Sequence, residues 1–352
     1  MSALNRPRFL RACAALAPLL AVSAAVLLVP IRVSAQAAAP AKKYSAPRLP
    51  DGRPDFSGYW TNNTATPLVR PDRFKDREFL RPDEVESVEK ATVRVDETRV
   101  KGAPCRFDAG PNGICPASVG GGPGGVGDYN AVFLESGKKV VATLRTSIIT
   151  DPKDGRMPPM LPEAQKKAAD RRAYLLQHPF DSHENLTLSD RCIMSGNAGP
   201  PMLPGAYNNN YHIVQGRDFV GIESEMMHDF RPIPIDGRPH GTVPGWKGDS
   251  IGHYEGDTLV VETTNFNGRG FRGNATTRVT ERFTRTAPDI LLYQFTVEDP
   301  AVYTRPYSGE ITMWPSKDPV YEYACHEGNY SMPLILSGAR AQEREAATKG
   351  GK

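Results

Sequence analysis

Residues 250–266, SIGHYEGDTLVVETTNF, decide the fold class. Two runs rich in Ile, Tyr, Leu, Val and Thr flank Gly256-Asp257, a dipeptide suited to a tight reversal, so the stretch predicts a β-hairpin. The same grammar appears on both sides of it. Residues 207–228, YNNNYHIVQGRDFVGIESEMMH, turn at Gly216-Arg217-Asp218, and residues 277–298, TRVTERFTRTAPDILLYQFTVE, turn at Thr286–Asp289. Tyr307–Met313 and Val320–Cys325 read as a fourth, closing pair. Hairpins that follow one another without intervening helices predict a mainly β protein, folded as an antiparallel meander over residues 207–330. Four hairpins give about eight strands, the number at which a sheet can close into a β-barrel around one small ligand. Closure also removes exposed strand edges.

Upstream of the meander the signals weaken. Residues 51–206 are rich in Pro and Gly and poor in long apolar runs, which predicts a long irregular insertion, wrapping or capping the hairpins, within one β-rich domain spanning 51–340. Strands are expected at Ala131–Leu134 and Val140–Ile149. A short helix is expected over Pro162–Gln177, with Glu163 in its first turn. Gly120–Gly127 reads as a mobile loop. Residues 36–50, rich in Ala, Pro and Lys, read as a flexible tether, and 341–352 as a disordered tail. Ser57-Gly58-Tyr59-Trp60 resembles the Gly-x-Trp signature that opens the first strand of lipocalin-like barrels, which implies such a barrel here.

The first 35 residues have the layout of a cleavable signal peptide. Arg6, Arg8 and Arg11 precede an apolar run from Ala12 to Ile31, and Val33-Ser34-Ala35 offers small residues for cleavage before Gln36. The expected location is periplasmic or secreted, with no stable membrane span after cleavage. The formal charge of +3 includes Arg6, Arg8, Arg11 and Arg32 of this leader, which holds no acidic residue. Without it, 39 basic residues face 40 acidic ones, a net charge of −1. That balance excludes an electrostatic footprint for nucleic acid. Four cysteines follow the leader: Cys105, Cys115, Cys192 and Cys325. An even number in an oxidising compartment predicts disulfides, of which three connectivities are open. Cys105 and Cys115 bracket a short Gly/Pro loop and are expected to pair, which leaves Cys192 for Cys325.

Alternation along the strands nominates side chains for chemistry. His228 falls in step with Val220 and Ile222, His253 with Ile251 and Glu255, and Glu281 with Val279 and Phe283. An ionisable group on an inward face costs several kcal/mol unless it is paired or lines a wet cavity, so these positions suggest a ligand cavity inside the barrel. His228, His253 and His326 are the candidate acid–base residues, supported by Asp229, Glu255 and Glu327. A carboxylate behind an imidazole fixes its tautomer and raises its basicity. Arg231, Asn210, Tyr323 and Glu281 are candidate substrate contacts; Asn210 belongs to the amide strip Asn208-Asn209-Asn210. The partner is a small organic molecule, and nothing in the sequence fixes an oligomeric state.

No cofactor is predicted, since no nucleotide or redox fingerprint occurs. A Zn or Cu ion held by His228, His253 and His326 is a secondary option, without the support of an H-E-x-x-H motif or a close C-x-x-C pair. Gly120–Gly127 lacks the Lys-Ser/Thr of a P-loop, and Ser195 does not sit in a G-x-S-x-G elbow. DGRPDFSGYW, YNNNYHIVQ, MMHDFRPIPIDGRPH, GHYEGDTLVVETTNF, ERFTR, FTVEDP and YEYACHEGNY together resemble a family of exported proteins of environmental bacteria, mostly hypothetical, to which no established activity attaches. Two functions fit this reading. One is a cofactor-independent lyase, isomerase or hydrolase using His–carboxylate chemistry in a barrel cavity. The other is a non-catalytic periplasmic binding or carrier protein.

Overall fold

The hairpins assemble into an antiparallel β-barrel whose strands follow one another around the wall. The computed structural model describes residues 44–100, 137–205, 207–270 and 272–350. The wall comprises β1 (Gly58–Thr61), β3 (Asn210–Gln215), β4 (Phe219–Ser224), β5 (Asp229–Pro234), β6 (Asp249–Glu255), β7 (Thr258–Thr264), β8 (Arg278–Ala287), β9 (Ile290–Glu298) and β10 (Tyr307–Pro315). A short β2 (Ile149–Asp151) pairs with β10 off this path. The sheet order β5-β4-β3-β1-β10-β9-β8-β7-β6 is sequential when read around a ring, with β1 joining β10 to β3. The wall thus has nine strands where about eight are expected. Strand direction alternates across every ladder, and nine is odd, so β5 and β6 face each other in parallel. They form the seam. No ladder joins them among the described residues; side chains bridge the gap. Gly252 lies so close to β5 that a Cβ there would stand 2.9 Å from Ile233 Cγ2. Lys247, just before β6, pairs with Asp229 at the start of β5.

Period-two alternation fills the barrel. In β9 Leu291, Tyr293, Phe295 and Val297 are buried, and in β8 Val279, Glu281 and Phe283. Tyr211 and Ile213 of β3, Val220 and Ile222 of β4, Ile233 of β5 and Ile311 and Met313 of β10 complete the core with Trp60 of β1. β5 carries Pro232 and Pro234, and lies at the seam, where missing N–H donors break no ladder. β10 is buried on both faces because residues 137–151 strap its outer side. Ala142 N–H donates to Thr312 Oγ1 (2.8 Å), and Arg145 reaches Glu310 (3.5 Å).

Several expectations are corrected. Val320–Cys325 forms no strand: β9 occupies one edge of β10, and β1 and β2 occupy the other, so no edge remains for it. Within Val140–Ile149 only Ile149 is in a strand. Helix α1 (Pro82–Val100), which sequence reading leaves out, packs Val85 and Val88 into a second small core with Phe74, Leu80 and Val140. Helix α2 spans Pro162–Gln177 as expected. The described part of the expected tail belongs to helix α3 (Ser331–Gly350), where Arg340 donates to the carbonyls of Phe180 and Asp181 (3.2 and 3.1 Å). In the expected tether, Ala46 is buried and Arg48 bridges to Pro54. A disulfide joins Cys192 to Cys325, with Cα atoms 5.7 Å apart. Cys105, Cys115, the Ala131–Leu134 strand, Gly120–Gly127 and the leader lie outside the described residues.

Candidate ligand-binding site

The residues singled out in the strands do not meet in a hollow. The barrel interior is occupied, and its charges satisfy one another. Arg231 of β5, 5% exposed, forks onto fully buried Glu281 of β8 with bonds of 2.6 and 3.1 Å. The hydroxyl of Tyr293 donates to the same carboxylate (2.8 Å) and accepts the Met202 N–H (2.9 Å). Burial works against the Arg231 charge, but the Glu281 carboxylate outweighs it and holds the guanidinium above its usual range. Arg231 and Glu281 therefore serve each other, and neither lines the described cleft.

The three histidines occupy separate elements, and all are exposed. Alternation in β4 ends before His228, because Met227 and His228 adopt positive φ in a one-turn 3₁₀ helix that rotates the imidazole outward. His253 does share a face with Ile251 and Glu255, but that face is the outer one. It contacts Glu255 (3.2 Å) at 57% exposure, and Glu255 also accepts from Arg282 (2.7 Å). Hydrogen bonds from Arg282, then from His253, lower the Glu255 pKa. His326, Glu327 and Tyr323 lie in the exposed segment after β10. Asp229 is tied to Lys247 at the seam. Asn210 opens β3, half-buried. Among the described residues, no group of three or more His, Cys, Asp or Glu side chains is placed to hold a metal ion.

A cleft lies at one end of the barrel. β7 and β9 end where β8 and β10 begin, so the β7–β8 and β9–β10 connections meet there, joined by Pro200-Pro201. They enclose a cleft of about 340 Å³, within the range of small-molecule sites, and barrel mouths are a common place for them. Its floor is the last inward layer of three strands: Val279, Val297 and Tyr307. Phe266, Val302 and Tyr303 form apolar wall.

Two loops fix the polar groups of this mouth. Asp299, 7% exposed, accepts from Asn274 Nδ2 on both oxygens (2.9 and 2.8 Å) and from Thr277 Oγ1 (2.8 Å). The N–H groups of Val302 and Tyr303 donate to its carbonyl (3.0 and 2.9 Å), fastening the second loop to the same residue. Arg272 lines the opposite loop, exposed, and donates one bond to Gly196 O (3.2 Å). Tyr303 and Tyr307 pack edge to face with ring centroids 5.4 Å apart. Burial raises both phenol pKa values; Arg272 opposes the shift and Asp299 adds to it. Both phenols are thus neutral at physiological pH and offer a donor and an acceptor each.

The polar cleft residues Asp299, Asn274, Arg272 and Tyr303 do not stand out in the strand pattern, because they sit in connections. The signal available was the Gly-, Asn- and Arg-rich stretch NGRGFRGN before β8, together with the Asp299-Pro300 exit from β9: scaffolds present their binding groups on such loops. No family model matches the chain, and comparison with curated proteins and with solved structures likewise gives no match.

Proposed function

We propose that the protein is an exported, non-catalytic small-molecule binding or carrier protein, and that it holds its ligand in the cleft at the barrel mouth. The observation that carries this reading is the cleft itself: an apolar floor built on three rigid strands, rimmed by one carboxylate, one guanidinium and two neutral phenols. Such a site orients a small molecule by its polar groups while burying its apolar part. Export is supported by the leader-like N-terminus and by the Cys192–Cys325 disulfide, a bond that persists in oxidising compartments. Among the described residues, no helix is long and apolar enough to cross a membrane. A binding role is favoured over acid–base catalysis because no histidine lines the cleft and His228, His253 and His326 are exposed on separate elements.

Native mass spectrometry of protein purified from the periplasm tests the reading. The wild type is expected to carry a small molecule whose mass is unchanged on release. A Val302→Trp variant, whose indole fills the cleft, is expected to be folded and empty. The same adduct in both proteins, or its conversion to a product on incubation, would overturn the proposal.

A further inference from the structure

We infer that the ligand is a zwitterion, a free amino acid with an apolar or aromatic side chain. This rests on the cleft being the binding site and specifies what enters it.

The cleft holds two opposite charges that do not neutralise each other. No ion pair joins Arg272 to Asp299, and neither has another charged partner among the described residues. Asp299 is nearly buried, and its three side-chain bonds all come from the neutral donors Asn274 and Thr277. Those bonds aim the carboxylate without cancelling its charge. Arg272 spends one N–H on the Gly196 carbonyl, which leaves most of its five donors for another acceptor. Arg272 and Asp299 line the same cleft as the phenols of Tyr303 and Tyr307, so both belong to one site.

A separated pair of this kind complements a dipolar molecule. An α-ammonium group can answer Asp299 while the α-carboxylate takes the fork of Arg272, and each bond is charge-assisted. A ligand with a single charge meets one attraction and one repulsion across the same cleft. The remaining lining decides the side chain. Phe266, Val279, Val297 and the Pro200-Pro201 pair are apolar, and the phenols of Tyr303 and Tyr307 add aromatic faces with hydroxyls available to the ligand's polar end.

Isothermal titration calorimetry at pH 7 separates the possibilities. The probes are L-phenylalanine, L-tyrosine and L-leucine, with the single-charge analogues 3-phenylpropanoate and 2-phenylethylamine. At least one amino acid is expected to bind, with both analogues weaker than L-phenylalanine or its best-binding relative by about tenfold or more. Arg272→Gln, at an exposed position, is expected to bring the amino acid down to the level of 2-phenylethylamine; Val302→Trp is expected to abolish binding of every probe. An analogue that binds as tightly as the amino acids, and is displaced by Val302→Trp, overturns the zwitterion while leaving the cleft as the site. Binding that survives Val302→Trp overturns the cleft. Absence of heat with all five probes overturns the zwitterion, and the co-purified mass then judges the cleft separately.

Discussion

Replacing Glu281 with Leu leaves the Arg231 guanidinium inside the barrel with no counter-charge, and the cost can be worked from the contacts. Arg231 and Glu281 are 5% and 0% exposed, so solvent screens the pair little. The carboxylate receives bonds of 2.6 and 3.1 Å from Arg231 and one of 2.8 Å from Tyr293. Removing one partner of such a pair costs about 3–5 kcal/mol, chiefly the penalty of the charge left behind. The Tyr293 hydroxyl, which keeps the Met202 N–H but loses its acceptor, adds about 1 kcal/mol. The double variant Arg231→Met/Glu281→Leu removes both charges of the buried pair. It is expected to lie within about 1 kcal/mol of the wild type, or above it, because the desolvation of two ions no longer opposes folding. Urea unfolding followed by tryptophan fluorescence, with Trp60 inside the barrel as reporter, measures both. A loss under about 1 kcal/mol for Glu281→Leu, or a double variant that sums the two single losses, would refute the reasoning.

Replacing both Cys192 and Cys325 with Ser releases a loop of 133 residues; in the chain-entropy limit this costs about 5 kcal/mol, read as a lower urea midpoint, and an unchanged midpoint would contradict it. Tyr293, Tyr303 and Tyr307 have raised pKa values in the folded protein, so the native state retains protons that the unfolded chain gives up above a pH of about 10. Their contribution is therefore complete below that pH and declines as pH rises past it; a stability curve flat from neutral pH to well above 10 would speak against the assignment. Gly248 has φ +74°, and a Cβ there would stand 2.3 Å from the Thr264 carbonyl oxygen, so Gly248→Ala is expected to lose about 1–3 kcal/mol in thermal unfolding. Mass spectrometry of the protein secreted by a host carrying the full gene is expected to find Gln36 as the first residue, and a retained leader would argue for an anchored protein.

The barrel was legible because its signal is local. Three of its hairpins combine an alternating strand pair with a Gly- or Pro-containing turn, and Gly58-Tyr59-Trp60 marks the strand that joins the two ends of the meander. What misled was the step from alternation to chemistry. Alternation says that Glu281 is buried, but whether it lines a cavity or meets a partner depends on Arg231, fifty residues away on a strand across the barrel. It placed His228 on the inner face because two residues of positive φ are invisible to a period-two count. Val320–Cys325 resembles a strand, and sequence alone does not show that both edges of β10 are already taken. α1 was missed because its apolar residues are few, Val85 and Val88 being the two that reach the small core. The cleft was missed for a different reason: its groups are assembled by three strand ends, two loops and a proline pair, and no single stretch contains the arrangement.

The placement of β1 governs the order in which the chain can mature. Synthesis delivers Gly58–Thr61 early, yet these four residues lie between β3 and β10, and the second of those neighbours leaves the ribosome near the end of translation. Until then the late hairpins and the early ones are two open ribbons, each presenting unsatisfied amides to any other strand nearby. Completion of the wall is accordingly a late, long-range event. A chain truncated before Tyr307 would retain most of the hairpins and still be prone to aggregate, since β1 could dock on β3 but would lack the strand that joins it to the late hairpins.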